Sequence, residues 1–319
     1  MITPLSRLFG KNKEVVGINA RNIGYIFAEN PRKLLSLVDD KLKTKELLES
    51  VSIPFPGVYG VFSEIHELRN LEKVIDRDEF VIKPSSGAGG RGIVVIKGRV
   101  DRGWVKSSGK TISLAEIRKH CSEVLEGVYS LDGNPTPVFF ESLIKSHHAL
   151  AEVSFEGVPD VRIISYRGVP VMAMVRLPTR ESSGKANLHQ GALGAGIRIS
   201  GGHTIHAIRK DKPVHTHPDT GSTLIGVEIP FWDEILEISS KSYDAVGLGY
   251  LGVDVAIDEE TGPLVLELNA RPGLSIQNAN QCGLARRLEV IEAMDLENVS
   301  SAERVAIAVE LDTKDWVAV

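Results

Sequence analysis

The chain has 319 residues, of which 42% are hydrophobic and 25% are charged, and its formal net charge is −5. This balance predicts a globular protein, and the lack of any block of like charges argues against nucleic acid or an anionic membrane as its main partner. No secretory signal and no apolar stretch of membrane-spanning length is apparent, so we expect a cytosolic protein. Cys121 and Cys282 have no metal-binding spacing and are predicted to be free thiols.

The first half of the chain alternates short predicted helices and strands around a glycine loop. Ser113 and Glu116 have the spacing of a capping box, so we expect them to open a helix. The predicted elements are two helix segments in 31–50, a turn and strand in 53–61, strands at 79–84 and 93–98 around the loop 85–92, a helix over 113–131 and a strand in 137–144.

The second half predicts two antiparallel pairs of strands, and this mixture of helices and antiparallel neighbours favours an α+β fold over a doubly wound sheet. The segment 294–319 carries no readable signal. The predicted features are a strand pair in 158–178 around the turn Arg167-Gly168, a glycine-rich stretch over 184–202, a helix over 231–247, and a hairpin of 251–258 with 263–273 around the turn EETG.

The glycine loop GAGGRG matches the pattern G-x-G-x-x-G at Gly87, Gly89 and Gly92. A dinucleotide fingerprint would open a helix, and a P-loop would continue with Lys-Ser or Lys-Thr. Here a β-branched run beginning at Ile93 follows, so we reject both readings. What remains is a hairpin lid whose backbone N–H groups close over phosphates, with Lys83 supplying a positive charge. The alternative is a mobile hairpin with a surface lysine.

The stretch VLELNARPGL (265–274) starts as an apolar strand that polar residues interrupt. Side chains in a strand alternate faces, so Glu267, Asn269 and Arg271 are predicted to line one face. Asp254 lies on the preceding strand and is expected beside Glu267 and Asn269. Carboxylate and amide oxygens suit Mg²⁺, and the alternative is a buried polar network.

Together these features resemble the ATP-grasp superfamily, and more closely the RimK-type α-L-glutamate ligases and the sugar-transfer-associated ATP-grasp proteins. The resemblance covers about residues 40–284. It implies an α+β ATP-grasp fold, with two lobes gripping ATP and a shortened N-terminal region. The implied division is 1–75 for the N-terminal region and helical entry, 76–145 for the lid subdomain and 146–319 for the C-terminal subdomain with the metal site.

The resemblance also implies roles for residues in the matching motifs DDKLKTKELL, FVIKPSSGAGGRGIVV, FFESLI, PDVRI, VRLP, KANLHQGA and VLELNARPGL. Gln190 stands where the family signature carries an arginine. The implied nucleotide-binding residues are Lys41, Lys83, Gly87, Gly89, Gly90, Gly92, Glu141, Ser142, Leu143, Asp160, Arg176 and Asn187. The implied metal ligands are Asp254, Glu267 and Asn269, the implied substrate residues are Arg162, His189 and Arg271, and Lys83, Arg176 and Arg271 are the implied catalytic residues.

The expected function is an ATP-dependent carboxylate–amine ligase that uses two Mg²⁺ ions, with Mn²⁺ as an alternative ion. Its partners would be a small-molecule or peptide carboxylate and an amine, glutamate being one candidate. A kinase acting on a hydroxyl and a non-catalytic nucleotide-binding module stay open, as does a homo-oligomer. His203, His206, His215 and His217 lie in one polar connection without cysteines, so we favour a solvated or structural role over a second metal site.

Overall fold

The computed structural model describes residues 14–87, 89–130 and 133–316. The chain forms two compact units, and each is described by itself. The larger unit comprises Met1–Val38, Lys43–Pro54 and Lys145–Val319, and the smaller unit comprises Asp39–Leu42 and Phe55–Ile144. The predicted α+β class is confirmed. The division into three consecutive segments stays a prediction; the N-terminal one contributes residues to both units.

The smaller unit is built on a six-stranded antiparallel sheet in the order β1-β6-β2-β3-β4-β5. Phe80 and Ile82 alternate toward a core that also contains Phe140. Its strands are β1 Val58–Phe62, β2 Phe80–Pro84, β3 Val94–Val100, β4 Gly103–Lys106, β5 Thr111–Ile112 and β6 Val138–Glu141.

The larger unit is built on a seven-stranded antiparallel sheet in the order β11-β10-β9-β8-β7-β12-β13. Its first five strands in chain order form a meander, and the hairpin of the last two pairs with the meander through β12 and β7. All nine residues of β12 are buried. The strands are β7 Asp160–Tyr166, β8 Val169–Leu177, β9 Leu193–Ile197, β10 Thr204–Arg209, β11 Lys212–Pro213, β12 Tyr250–Asp258 and β13 Gly262–Asn269.

Helical segments complete both units. They are α1 Ile18–Ala20, a π-helical segment Arg21–Ile26, α2 Phe27–Glu29, α3 Arg32–Asp39, α4 Lys41–Ser50, a 3-10 segment Ile65–Asn70, α5 Leu71–Val74, α6 Leu114–Leu125, α7 His148–Ala151, a 3-10 turn Leu188–Gln190, α8 Trp232–Val246, α9 Ser275–Asn280, α10 Ala285–Glu292 and α11 Ser301–Thr313. In the part of the chain that the structure describes, none of them combines the length and apolar character needed to cross a membrane.

Several predicted elements are confirmed. The glycine loop joins the antiparallel strands β2 and β3, and the Arg167-Gly168 turn joins β7 to β8. The capping box of α6 is present, because the Ser113 side chain accepts the Glu116 N–H and the Glu116 carboxylate accepts the Ser113 N–H. The helix ends at Leu125, earlier than expected, in a turn where the Val128 N–H donates to the Glu123 carbonyl.

The prediction that Arg271 continues the polar row of its strand is wrong. β13 ends at Asn269, and the chain bends at Ala270 and Arg271. Pro272 follows directly, and a proline offers no N–H to continue the ladder. Arg271 therefore lies in the connection after the strand, where the alternation argument does not apply.

Several elements have no counterpart among the predictions. They include β4, β5, α9 and α10, β10 in the segment expected to be a polar connection, β9 inside the glycine-rich stretch, and α11 near the C-terminus. Gly196 in β9 packs so closely under α9 that a Cβ added to it would lie 2.5 Å from the Ala279 carbonyl oxygen. Glycine is needed where β9 packs this closely against α9, and the resulting glycine-rich composition resembles that of a loop.

We expect Gly196→Ala to lower the free energy of unfolding by about 1–3 kcal/mol, because the new methyl group would force α9 to shift. The matched control is Gly98→Ala in β3, where an added Cβ meets nothing within 4 Å and the change should stay within about 0.5 kcal/mol. Urea unfolding measures both. Equal stabilities of the two variants would contradict the close packing.

Candidate functional site

Strand register in the larger unit brings four charged side chains of the predicted site together. Asp160 on β7 lies opposite Arg176 on β8, and Arg162 on β7 lies opposite Asp254 on β12. Asp160 and Arg162 are two residues apart and so share one face of the sheet. On its other side Asp254 is paired with Glu267 of β13, next to a bulge in the register.

Asp254 accepts hydrogen bonds from both arginines. The Nε and Nη2 atoms of Arg162 donate to it at 2.7 and 2.5 Å, and Nη2 of Arg176 donates at 2.9 Å. Arg176 also donates from Nε to Asp160 at 2.5 Å. We call Asp160, Arg162, Arg176 and Asp254 the charge network. Its four formal charges cancel, and both arginine side chains are 13% exposed.

Burial and the neighbouring charges act in opposite directions on the two acids. Burial raises the pKa of Asp160 to about 6, against the effect of Arg176. Burial also raises the pKa of Asp254, but Arg162 and Arg176 outweigh it, so the net pKa lies below the usual value. Asp254 is therefore the ionised acid that holds both arginines in place.

The three predicted metal ligands are cross-strand neighbours. Asp254 is paired with Glu267, Gly252 with Asn269, and the Asn269 amide donates to Asp254 at 3.1 Å. Their oxygen donors fit Mg²⁺. With two bonds from Arg162 and one each from Arg176 and Asn269, Asp254 has used about the whole acceptor capacity of a carboxylate, so a metal would replace at least one donor.

The other predicted residues of the larger unit make local contacts. Asn187 accepts the His189 N–H with its side chain and so caps the 3-10 turn, while His189 itself is exposed beside a small cavity of about 40 Å³. Arg271 is exposed, and its charge helps to lower the pKa of Arg21, after the larger effect of burial.

In the smaller unit, the predicted nucleotide residues Lys83 and Glu141 form an ion pair of 2.5 Å, and the Glu141 side chain is only 3% exposed. Lys83 is the penultimate residue of β2, and Glu141 is the last residue of the neighbouring strand β6. The ion pair thus connects Lys83, which is predicted to hold phosphate, to Glu141, which is predicted to read the base.

The glycine loop has contacts at both ends. The Lys41 ammonium donates to the Gly87 carbonyl at 3.1 Å, so this predicted phosphate ligand does lie at the loop. At the far end, the His120 ring is hydrogen-bonded to the Gly92 carbonyl at 2.9 Å. A Cβ on Gly92 would lie 2.8 Å from the Tyr129 ring, which explains the need for glycine.

That Ser142 and Leu143 read the base through their backbone stays a prediction. The Ser142 N–H donates to the Gly57 carbonyl at 2.9 Å, which leaves the carbonyl of Ser142 for that role. The reason is that β1 runs beside β6 and uses this N–H to extend the pairing.

Sequence reasoning missed two groups of residues. Thr136 fixes the start of the glycine loop by hydrogen bonds of 3.1 Å to Ser85 and to the Ser86 N–H. The second group is His147, His148 and Glu259, whose ligand atoms lie within 4.8 Å of one another. The adjacent histidines were a visible signal, but their acidic partner is 111 residues away.

The four histidines of the polar connection form no such group within the described residues. His217 is buried, and its ring is hydrogen-bonded to the Pro178 carbonyl at 2.9 Å and accepts the Asp219 N–H at 3.2 Å. These contacts support a structural role for His217. Both cysteines are free thiols, as predicted.

The sequence matches the profile of a family described as "Sugar-transfer associated ATP-grasp" over residues 20–293. The chain is 25% identical over 252 residues to a probable alpha-L-glutamate ligase of Maridesulfovibrio salexigens, covering 78% of this chain and 61% of that protein. It is 24% identical over 249 residues to a protein of the same description from Pseudoalteromonas translucida, again covering 78% and 61%. The chain thus spans about 61% of the length of these curated relatives.

Solved structures also align with the chain. The ATP-grasp ligase PsnB in complex with a minimal precursor aligns over 89% of this chain and 63% of its own, with a TM-score of 0.45 and 15% identity. The D-alanine–D-alanine ligase of Bacillus anthracis aligns over 88% and 69%, with a TM-score of 0.42 and 15% identity.

Asp254→Asn should lower the free energy of unfolding in Mg²⁺-free buffer by about 3–5 kcal/mol, because two arginines that are only 13% exposed lose their shared counter-ion. Glu267→Gln removes a charge from the neighbouring, half-buried position and should cost less than about 1 kcal/mol. Urea unfolding of both variants is the measurement. Similar losses in the two would show that Asp254 is not the anchor of the charge network.

Proposed function

Because the chain belongs to the sugar-transfer-associated ATP-grasp family, we propose that it is an ATP-dependent ligase that joins a carboxylate to an amine. The observation that carries the proposal is the placing of Glu267 and Asn269 beside Asp254, whose two arginine partners are held by ion pairs. Such a site offers oxygen ligands for a metal and fixed positive charge for a transferring phosphoryl group.

The smaller unit supplies the nucleotide-binding groups of this proposal. Lys41 and Lys83 hold the phosphates, together with the backbone N–H groups of the loop at Gly87, Gly89, Gly90 and Gly92. Glu141, the Ser142 carbonyl and the Leu143 backbone would read the adenine base. The contact of Lys41 with the Gly87 carbonyl supports this reading, since it keeps a cation at the loop.

The larger unit supplies the metal-binding groups and the cations of the reaction centre. Asp254, Glu267 and Asn269 would hold two Mg²⁺ or Mn²⁺ ions, which neutralise the β- and γ-phosphates when bound. Asp160 would hold the ribose. Arg176 and Arg162 are held by ion pairs with Asp160 and Asp254, so they would spread negative charge without moving.

In the proposed reaction, a substrate carboxylate oxygen attacks the γ-phosphorus and ADP leaves. The amine then attacks the acyl carbon of the resulting acyl phosphate, giving an amide and free phosphate. Arg271, a fork of N–H donors beyond the end of β13, would hold the carboxylate in line with the γ-phosphate, and His189 and Asn187 would contact the reactants. The proposed reaction requires that water be excluded, because water would hydrolyse the acyl phosphate.

For the carboxylate and amine substrates we propose chemical classes and no single compound. The curated relatives are described as probable alpha-L-glutamate ligases, so L-glutamate is the first amine to test, against small-molecule and peptide carboxylates. A cytosolic location and a homo-oligomeric state stay predictions.

Lys83→Met should weaken the binding of Mg²⁺-ATP and Mg²⁺-GTP by the same factor, about 10–100-fold, because Lys83 is proposed to contact phosphate and not the base. Glu141→Ala should instead reduce the preference for ATP over GTP. Isothermal titration measures both, and the exposed Lys97 in β3 provides the matched control Lys97→Met, which should bind like the unchanged protein. A lower ATP-over-GTP preference in Lys83→Met would contradict these assignments.

Oxygen labelling separates a ligase from a kinase. With carboxylate substrate labelled by heavy oxygen, the ligase should transfer one label into released phosphate, because the amine expels the oxygen that attacked phosphorus. Hydroxylamine in place of the amine should trap the acyl phosphate as a hydroxamate. Mass spectrometry detects both products.

A kinase gives neither product, because its hydroxyl oxygen stays bonded to carbon and no phosphate is released. The control reaction omits the carboxylate, which shows how much phosphate comes from simple ATP hydrolysis. With a substrate pair that drives ADP formation, unlabelled phosphate and no hydroxamate would overturn the ligase proposal, and a phosphorylated substrate would establish the kinase instead.

A further inference from the structure

A second cluster of possible metal ligands lies in the larger unit, on residues that the proposed ligase reaction does not use. His147, His148 and Glu259 each place one ligand atom within 4.8 Å of the others, and within residues 14–87, 89–130 and 133–316 no other such group of three occurs. Nδ1 of His148 lies 3.0 and 3.2 Å from the two carboxylate oxygens of Glu259. We call these three residues the His-His-Glu cluster.

Backbone hydrogen bonds fix the two chain segments that carry the cluster. The Glu259 N–H donates to the Lys145 carbonyl at 2.7 Å, and the His147 N–H donates to the Ile257 carbonyl at 2.9 Å. The Glu259 carboxylate also accepts the His148 N–H at 2.7 Å. The ligand-bearing residues are therefore held to the end of β12 by the main chain, which lowers the ordering cost of binding.

The histidine rings are also oriented. The ring of His147 stacks on that of His148 at 4.3 Å with 27° between the planes, and it meets the Phe231 ring edge-on at 5.8 Å. The hydrogen bond between Nδ1 of His148 and the Glu259 carboxylate already holds one candidate nitrogen ligand against the candidate oxygen ligand. The side chains of His148 and Glu259 are 68% and 45% exposed, which leaves the cluster open to a metal ion from solution.

We propose that His147, His148 and Glu259 bind a divalent transition-metal ion of the zinc class, separately from the nucleotide-linked Mg²⁺. Two imidazoles and one carboxylate form a three-ligand set that zinc accepts, with water in the fourth position. Imidazole nitrogens favour zinc, nickel and copper over Mg²⁺, which prefers oxygen. Tetrahedral bonds of about 2.0–2.2 Å place ligand atoms roughly 3.3–3.6 Å apart, a separation that small rotations of these side chains would reach.

The bound ion would connect the segment 145–148 to the turn between β12 and β13. In the structure the same two segments are joined by the ion pair of His148 with Glu259. The metal would replace that pair by coordinate bonds and add His147 to the connection. The site would act as a structural clamp, with no part in phosphoryl transfer.

Zinc binding to the full chain tests the proposal, with millimolar Mg²⁺ present to occupy the oxygen-donor site. In this Mg²⁺-containing buffer, isothermal titration with Zn²⁺ should show one binding site per chain. Titration with Co²⁺ should give the visible absorption of a tetrahedral Co²⁺ ion. His148→Ala and Glu259→Gln should each weaken Zn²⁺ binding by at least about 100-fold. The Gln variant keeps an acceptor for the His148 N–H, so the local fold is preserved.

Two matched variants serve as controls. His66→Ala removes an exposed histidine of the smaller unit, and Glu260→Gln removes the exposed carboxylate next to Glu259 in the chain. Both should bind Zn²⁺ like the unchanged protein. The proposal is overturned if the unchanged protein binds no Zn²⁺ at micromolar concentrations, or if His148→Ala and Glu259→Gln bind it with unchanged affinity.

Discussion

A carboxylate buried in the middle of a sheet is the constraint on which the larger unit depends. Asp254 is 2% exposed in a strand whose nine residues are all buried. An ionised carboxylate in such a place requires charged partners and hydrogen bonds. Arg162 on β7 and Arg176 on β8, the next strand beyond it, provide these partners. Asp160 balances the charge of Arg176. The placement of Asp160, Arg162 and Arg176 thus follows from the requirement to neutralise the buried Asp254 carboxylate.

The same principle holds in the smaller unit, where Lys83 and Glu141 neutralise one another. In both units the groups proposed to meet a ligand are already paired within the protein. A ligand therefore exchanges partners with them and does not meet bare charges. This limits the affinity gained per contact, but it keeps the charged groups ordered before the ligand arrives.

Local signals made part of this structure predictable. The hairpins β2–β3 and β12–β13 follow from short apolar runs on both sides of turn residues, and α6 follows from its capping box. The helix α11 also begins with a capping box, formed by Ser300 and Glu303, and this signal was overlooked. By contrast, β9 is a strand because its glycines admit α9, a tertiary reason that no local pattern contains.

The site was predictable to a similar extent. Alternation placed Glu267 and Asn269 beside Asp254, and the register confirms this. It could not reveal that Asp254 serves first as an arginine anchor, because that depends on β7 lying beside β12. Nor could it place Glu259 next to His148, since the two are 111 residues apart. Alternation also failed at Arg271, where a following proline ends the ladder.

The strand order has a consequence for how the larger unit folds. The meander from β7 to β11 and the hairpin β12–β13 are each local in sequence, but the seam between them joins residues 92 positions apart. Such long-range pairing forms slowly, because the intervening chain must lose entropy before any contact is gained. The bonds of Arg162 and Arg176 to Asp254 cross this seam. The protein therefore acquires its charge network in the same event that completes its sheet, so a chain with an unfinished sheet lacks this network.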